Sequence, residues 1–157
     1  MMKAGVKQIF VFLMVIILIG LVFLFGLKSI SGLKKDACSA DLALSIKQLN
    51  EMVDRYNTFG SVHTEKLNPP CGYTEICFVD ADIDRSRLNI DSINNNMLKS
   101  VLRDDLNHNV FFVKQNEVKP VSLLSKIKVD SGFVCKQLSG NSIVVKFVGT
   151  GRKTRVE

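Results

Sequence analysis

The sequence has few of the residues that build active sites and metal centres. It has no tryptophan, two tyrosines and only two histidines, His63 and His108. Neither histidine lies at a ligand spacing from a cysteine, and no Cys-x-x-Cys pair occurs, so no zinc site is expected. The chain also lacks a Ser-His-Asp spacing, a nucleophile elbow, a phosphate loop and a catalytic carboxylate pair. We therefore expect no enzyme and no cofactor, and no small-molecule substrate is identified.

The net charge of +6 is spread among acidic residues and does not form a nucleic-acid surface. Two basic clusters are present: Lys28, Lys34 and Lys35 follow the apolar run described next, and Arg152, Lys153 and Arg155 lie near the C-terminus. The first cluster suits lipid headgroups. The second has no interleaved aromatic side chains on which bases could stack, so nucleic-acid binding is not expected.

One long apolar run, Ile9 to Leu27, interrupts an otherwise mixed sequence. Its nineteen residues contain no charged side chain, and at about 1.5 Å per residue they span roughly 28 Å of helix. The hydrocarbon core of a bilayer is ~30 Å thick, and only a helix satisfies the backbone there. We predict a transmembrane or assembly helix over residues 6–35, after a short basic leader or cytoplasmic tail at residues 1–5. The side chains expected to contact lipid or neighbouring helices are Ile9, Phe10, Phe12, Leu13, Ile16, Ile17, Leu21 and Phe25.

Three interpretations of this segment are open. A cleaved signal peptide has an apolar core of about 7–15 residues and a small-residue cleavage site. This run is longer, and the sequence Lys-Ser-Ile-Ser-Gly-Leu-Lys-Lys follows it. An uncleaved single-pass anchor is the second interpretation, with lysines at both ends that leave its orientation undecided. The third is a short leader that is removed while the helix is kept.

The N-terminal sequence Met-Met-Lys-Ala-Gly-Val-Lys-Gln-Ile-Phe-Val-Phe resembles that of archaeal type IV pilin-like proteins. In that family a short basic leader ends at a small residue, which would place the cut at Lys3-Ala4-Gly5, and a long apolar helix follows. Bacterial pilins carry a glutamate five residues after the cut, where this chain has Gln8 to Phe10, and Lys7 would lie in the first helical turn. Archaeal members are less strict about the glutamate. The stretches Pro70–Tyr73 and Cys77–Asp80 are similar to uncharacterised archaeal membrane-anchored proteins.

The four cysteines, Cys38, Cys71, Cys77 and Cys135, all follow the apolar run. An even number in a small exported domain favours two disulfides over a metal site. Of three possible pairings we prefer Cys71–Cys77 with Cys38–Cys135, because a turn separates the first pair and the second ties the domain start to its C-terminal hairpin. Disulfides form in oxidising compartments, so we predict that residues 36–157 lie outside the cell and that the N-terminus is cytoplasmic.

Residues 36–157 are predicted to form one disulfide-stabilised domain. Apolar spacing and capping residues indicate a helix from Ser39 to Tyr56, ended by Asn57–Gly60, and a second helix from Asp91 to Asp104 capped by Asp91 or Ser92. Strands are predicted at 61–67, 75–80, 109–114, 133–138 and 142–148, the last two as a hairpin around Ser139-Gly140-Asn141, with a strand or loop at 118–129 and an edge strand in the tail at 152–157.

The predicted fold class is therefore α+β: a long N-terminal hydrophobic helix, then a small antiparallel sheet with one or two helices. Phe111 and Phe112 are neighbours in one predicted strand and must face opposite sides of the sheet. Burial of both is the simpler expectation, and contact of one with the upper part of the anchor helix or with a neighbouring subunit is the alternative.

Asp80, Asp82 and Asp84 form the one run that resembles a metal site. Carboxylates at alternate positions wrap calcium in EF-hand-like loops, and Asp91 occupies position 12 of a loop that begins at Asp80. However, Arg85 stands where the sharp turn needs glycine, and Leu88 stands where a ligand is expected. Calcium binding and a solvated loop of acids paired with arginines both remain open.

These observations favour a structural subunit that assembles through its N-terminal helix into an extracellular filament. Its partners would be membrane lipid and identical copies of the chain. The alternative is a single-pass membrane-anchored domain that takes part in a cell-envelope complex.

Overall fold

The computed structural model describes the backbone of residues 3–84, 86, 88, 93, 95–104, 107–115 and 117–157, and their side chains except at 3–7, 29–32 and 35. The chain divides into two compact units, Met1–Ala40 and Asp41–Glu157. The helices and strands are α1 (Lys3–Arg55), β1 (Val62–Leu67), β2 (Glu75–Val79), α2 (Asn96–Asp104), β3 (Val110–Lys114), β4 (Glu117–Ser122), β5 (Ile127–Lys128), β6 (Phe133–Ser139), β7 (Ser142–Gly149) and β8 (Thr154–Val156).

Helix α1 runs without a break from Lys3 to Arg55, so the prediction of a separate helix capped by Ser39 is wrong. No proline or glycine lies between Leu33 and Arg55 to interrupt the helix. The Ser39 hydroxyl donates to the Asp36 carbonyl three residues earlier (3.0 Å), a bond that a helix interior accommodates. The helix ends as predicted before the Asn57–Gly60 turn, where Gly60 has a φ of +78°.

The strands form an eight-stranded sheet in the order β4-β3-β2-β6-β7-β8-β5, with β1 also paired to β7. All pairs are antiparallel except β5 with β8. This confirms the α+β class and the β6–β7 hairpin, whose turn contains Gly140 at a φ of +67°. The C-terminal tail forms β8 between β7 and β5, so it lies inside the sheet instead of at its edge.

Two apolar clusters cover opposite faces of the sheet. Leu49 and Val53 of α1 pack on the first face together with Phe112, and Leu98 and Leu102 of α2 pack on the second face together with Phe111. The two phenylalanines are 0% and 2% exposed, so both are buried, each in a different cluster. The alternation of side chains along β3 thus links the two helices through one strand.

Helix α2 begins later than the sequence predicted. Ile93 and Asn95 are not helical, and the first helical residue is Asn96. The Asn95 side-chain oxygen accepts hydrogen bonds from the backbone N–H groups of Met97 (3.0 Å) and Leu98 (3.1 Å), so Asn95 is the cap. The caps predicted from the sequence, Asp91 and Ser92, lie outside the described residues.

Candidate functional site

All four cysteines are disulfide-bonded, as predicted, but not in the preferred arrangement. Cys77 of β2 pairs with Cys135 of β6, which lies directly opposite it with a Cα–Cα distance of 4.0 Å. The predicted Cys71–Cys77 and Cys38–Cys135 bridges are therefore wrong. The physical reason is the sheet itself: Cys71 packs against the cluster on the α1 face, whereas Cys77 and Cys135 belong to the cluster on the α2 face.

Glu75 lies beside this disulfide and completes the one potential metal-ligating group found among the described residues. Its carboxylate and the sulfurs of Cys77 and Cys135 lie within 4.8 Å of one another. Burial raises the pKa of the Glu75 carboxyl. Because the two sulfurs are bonded to each other, neither can serve as a thiolate ligand. The group is therefore a disulfide bond with a carboxylate beside it.

The aspartates of the calcium-like run hold the polypeptide together. Asp80 accepts a hydrogen bond on one carboxylate oxygen from the Asp82 backbone N–H and on the other from the Val129 N–H, both at 2.8 Å. Asp82 forms an ion pair with Lys153. Asp84 accepts from the Ser86 backbone N–H (3.0 Å), and this bond holds the pKa of its carboxyl below the usual range.

These contacts favour the solvated acidic–basic loop over the calcium loop. The oxygens of Asp80 are occupied by backbone donors, and a lysine ammonium already neutralises Asp82. Leu88, at a ligand position of the calcium pattern, is 8% exposed and packs in the cluster on the α2 face. Arg85 and Asp91, the other two positions that this comparison needs, lie outside the described residues.

An open groove of about 1000 Å³ adjoins this loop. Acidic and basic side chains both line it: Asp82 pairs with Lys153, and Asp130 accepts from Arg155, which lies outside the lining, at 3.2 Å. The described lining residues include no histidine, cysteine or serine, and their one hydroxyl, that of Thr150, donates to the Lys153 carbonyl (2.8 Å). The groove therefore offers a polar surface of mixed charge.

His63 has a structural contact. Its ring stacks on Tyr56, with centroids 4.0 Å apart, and the Tyr56 hydroxyl donates to the Glu65 carboxylate (2.5 Å). The hydrogen bond to Glu65 raises the pKa of Tyr56. His108, the second histidine, is half-buried in the turn that precedes β3.

Two polar residues that no sequence pattern selected are buried and hydrogen-bonded. Tyr73 donates its hydroxyl to Glu117 (2.8 Å), and its pKa rises to about 12 because the ring is buried and the carboxylate is close. The Asn109 side chain donates to the Leu124 carbonyl (2.9 Å) and accepts from the Leu124 N–H (2.7 Å). Their partners are distant in sequence, so no local pattern could have indicated them.

The most extensive unpartnered surface lies on α1. The segment Gln8–Lys28 has a mean hydropathy of 3.2 and is long and apolar enough to cross a membrane, and none of it is buried. The eight side chains predicted to contact lipid or other helices are 45% to 70% exposed. Within the described residues, no part of this chain covers them.

Comparison of the chain with protein-family models, with curated proteins and with solved structures gives no match.

Proposed function

We propose that this protein is a pilin-like structural subunit. Its N-terminal helix first anchors it in a membrane and then packs against the helices of identical subunits in an extracellular filament. The disulfide-bonded domain forms the outer surface of that filament. In this proposal the chain performs no catalysis and binds no nucleic acid or cofactor, and its partners are lipid and its own copies.

The observation that supports this proposal is the single helix α1. Its segment Gln8–Lys28 is wholly exposed and apolar, while Leu49 and Val53, later in the same helix, are buried under the sheet. A pilin-like architecture combines these two features in one long helix. Its N-terminal part is an exposed apolar segment, and its C-terminal part packs under a sheet.

The end of α1 is fixed firmly to the sheet. The Thr154 hydroxyl of β8 donates to the Val53 carbonyl (2.7 Å) in a buried position, and Lys126 forms an ion pair with Asp54 (2.7 Å). In a subunit held by its helix in a filament, such contacts help the end of the helix and the sheet to carry a load together.

The hydrophobic effect supplies the driving force for assembly outside the bilayer. Each large apolar side chain removed from water contributes about 1.5–3 kcal/mol, and the exposed run Ile9–Leu27 consists almost entirely of such side chains. This surface cannot remain in water, so a subunit that leaves the membrane must bury it against other helices. The disulfides support an oxidising location for the domain, with the N-terminus in the cytoplasm before processing.

The test is the intact mass of the native protein. We expect loss of the first four or five residues, together with filaments in electron micrographs. Replacing both Ala4 and Gly5 by Leu should preserve the full-length mass and abolish the filaments. As a matched control, G20L places the same side chain inside the apolar helix, where an added Cβ meets no atom within 4 Å, and should be processed normally. A full-length native mass, apart from Met1, would overturn the proposal and favour the anchored interaction domain.

A further inference from the structure

Strand β1 leaves one long edge of its backbone open. It pairs with β7 alone, over the whole of Val62–Leu67. The other long edge strand, β4, contains Pro120, which protects an edge by removing a hydrogen-bond donor. Strand β1 contains no proline, and its residues Val62, His63, Thr64 and Lys66 are exposed. Nothing in the described parts of the chain pairs with its outer side.

Hydrogen bonds on both sides of β7 establish which groups of β1 point outward. The Lys146 backbone exchanges hydrogen bonds with Glu157 on the β8 side, at 3.3 and 2.9 Å. Thr64 lies opposite Lys146, so this pair is not hydrogen-bonded, and the Thr64 N–H and C=O point away from β7. The Gly149 N–H donates to the Ser61 carbonyl (2.8 Å), so the Ser61 carbonyl points toward β7. Backbone groups alternate in direction along a strand, so those of the next residue, Val62, point away from β7. Val62, Thr64 and Lys66 therefore present their backbone groups to the open edge.

We propose that this edge pairs with the β1 strand of a second copy, antiparallel, about a two-fold axis at Thr64. In this register Thr64 faces Thr64 of the other copy, and Val62 faces Lys66. The outward N–H and C=O groups of these three residues would then be exchanged between the copies. On the other face of the strand, His63 would lie opposite Glu65 in both halves of the pair.

The pairing of side chains selects both this register and a second copy as the occupant. A slip of two residues keeps each side chain on its face, but one such slip places Glu65 opposite Glu65, and like charges directly opposite are destabilising. The other slip places His63 opposite His63 and loses the contact of each imidazole with a carboxylate. The strand is thus complementary to itself only about Thr64. Anchoring two copies in one membrane would also raise their effective concentration.

This inference goes beyond the proposed filament. A two-fold contact uses the same patch on both copies and closes upon itself, whereas a filament needs a head-to-tail contact that repeats. The β1 pair can therefore form whether the leader is removed or retained. Its test is independent of the mass measurement, so failure of one proposal leaves the other standing.

Cysteine cross-linking of the full chain in lipid nanodiscs tests the register. In a hydrogen-bonded antiparallel pair the Cα atoms lie about 5.5 Å apart, within the range that a disulfide spans. We expect T64C to give a disulfide-linked dimer under mild oxidation, and K66C alone to give none. A mixture of V62C and K66C chains should cross-link, because these positions face each other. No dimer from T64C, or equal dimer from K66C alone, would overturn the proposal.

Proline substitution tests the backbone contact without an added thiol. T64P removes an N–H that points away from β7, so the fold should persist while the dimer is lost. T64V keeps the N–H and should remain dimeric by light scattering in detergent. A T64P chain that is folded and still dimeric would contradict the proposal, as would a wild type that is monomeric at every concentration. If T64P fails to fold, the cross-linking results decide.

Discussion

Gly149 occupies a position where any side chain would press against neighbouring backbone. A Cβ added there would lie 1.9 Å from the Thr58 carbonyl oxygen and 2.5 Å from that of Tyr56. Both oxygens belong to the backbone where α1 turns into β1, and the Gly149 N–H donates to the Ser61 carbonyl in the same turn (2.8 Å). The close approach of β7 to the end of α1 therefore depends on the missing side chain.

We expect G149A to lower the free energy of unfolding by about 3 kcal/mol, the cost of inserting a methyl group into packed backbone. The control is G60A, at a positive φ of +78° but with open space around the added carbon. It should cost about 1 kcal/mol, from backbone strain alone. Urea unfolding of the full chain in detergent measures both. Equal losses would show that the close contacts around Gly149 are not limiting.

Individual residues also show where sequence reasoning stops. The buried pairs Tyr73–Glu117 and Asn109–Leu124 join positions that are 44 and 15 residues apart. No local sequence pattern marks either pair, because the pairing of strands determines which distant residue lies next to Tyr73 or Asn109. The Asp80–Asp84 run was identified from its spacing, but whether its carboxylates would face a metal or backbone N–H groups depended on the position of Val129, which spacing does not specify.

At the scale of helices and strands, the Cys77–Cys135 disulfide between β2 and β6 has the largest expected effect on the free energy of unfolding. It joins adjacent strands across 58 residues of chain. In the chain-entropy model, closing a loop of this length stabilises the fold by about 4 kcal/mol. Both sulfurs lie in the apolar cluster on the α2 face, so alanine is a better replacement than serine, whose hydroxyl would be buried there.

We expect the C77A/C135A variant to unfold with a free energy about 3–4 kcal/mol below that of the wild type in non-reducing urea titrations. A reductant should destabilise the wild type by a larger amount than the variant, because Cys38 and Cys71 are the only bonded cysteines left to reduce. An unchanged midpoint for the variant would mean that the bridge contributes no net stability.

The elements that the sequence predicted well are those with a local cause. The β6–β7 hairpin follows from Gly140 between two alternating runs, and β2 follows from a short apolar run before a turn. Helix starts were predicted less well. Ser39 is a good cap residue, yet helix-forming residues precede it. Asp91 or Ser92 was predicted as the cap of α2, although Asn95 is the residue that bonds the first N–H groups. More than one residue near each helix start has a side chain suited to the N-cap, and tertiary packing determines where the helix begins.

For the chain as a whole, composition was more informative than any motif. An apolar run of nineteen residues followed by four cysteines was enough to predict an apolar helix and a disulfide-bonded domain, and the helix and strand patterns added its α+β class. The sheet order and the disulfide pairing could not be predicted, because both depend on contacts between residues far apart in sequence.

The proposed assembly makes a further prediction about α1 beyond its apolar span. Leu33 is 67% exposed, and its neighbour Lys34 is also exposed. Consecutive helical residues point about 100° apart, so the two side chains lie on different faces. If Leu33 packs against a neighbouring subunit, L33E would bury an unpaired carboxylate there, which is costly.

We expect L33E to reduce the yield of filaments about tenfold or more, which corresponds to ~1.4 kcal/mol or more for assembly. Its membrane insertion should be unchanged, because the segment Gln8–Lys28 is intact. K34E is the position control: it changes the charge by more than L33E does, yet should assemble normally because position 34 already carries an exposed charged side chain. I16E should lose both insertion and assembly. Carbonate extraction of membranes measures insertion, and electron microscopy of sheared cell-surface material measures assembly. Normal filaments from L33E would argue that the helices of neighbouring subunits do not pack together at Leu33.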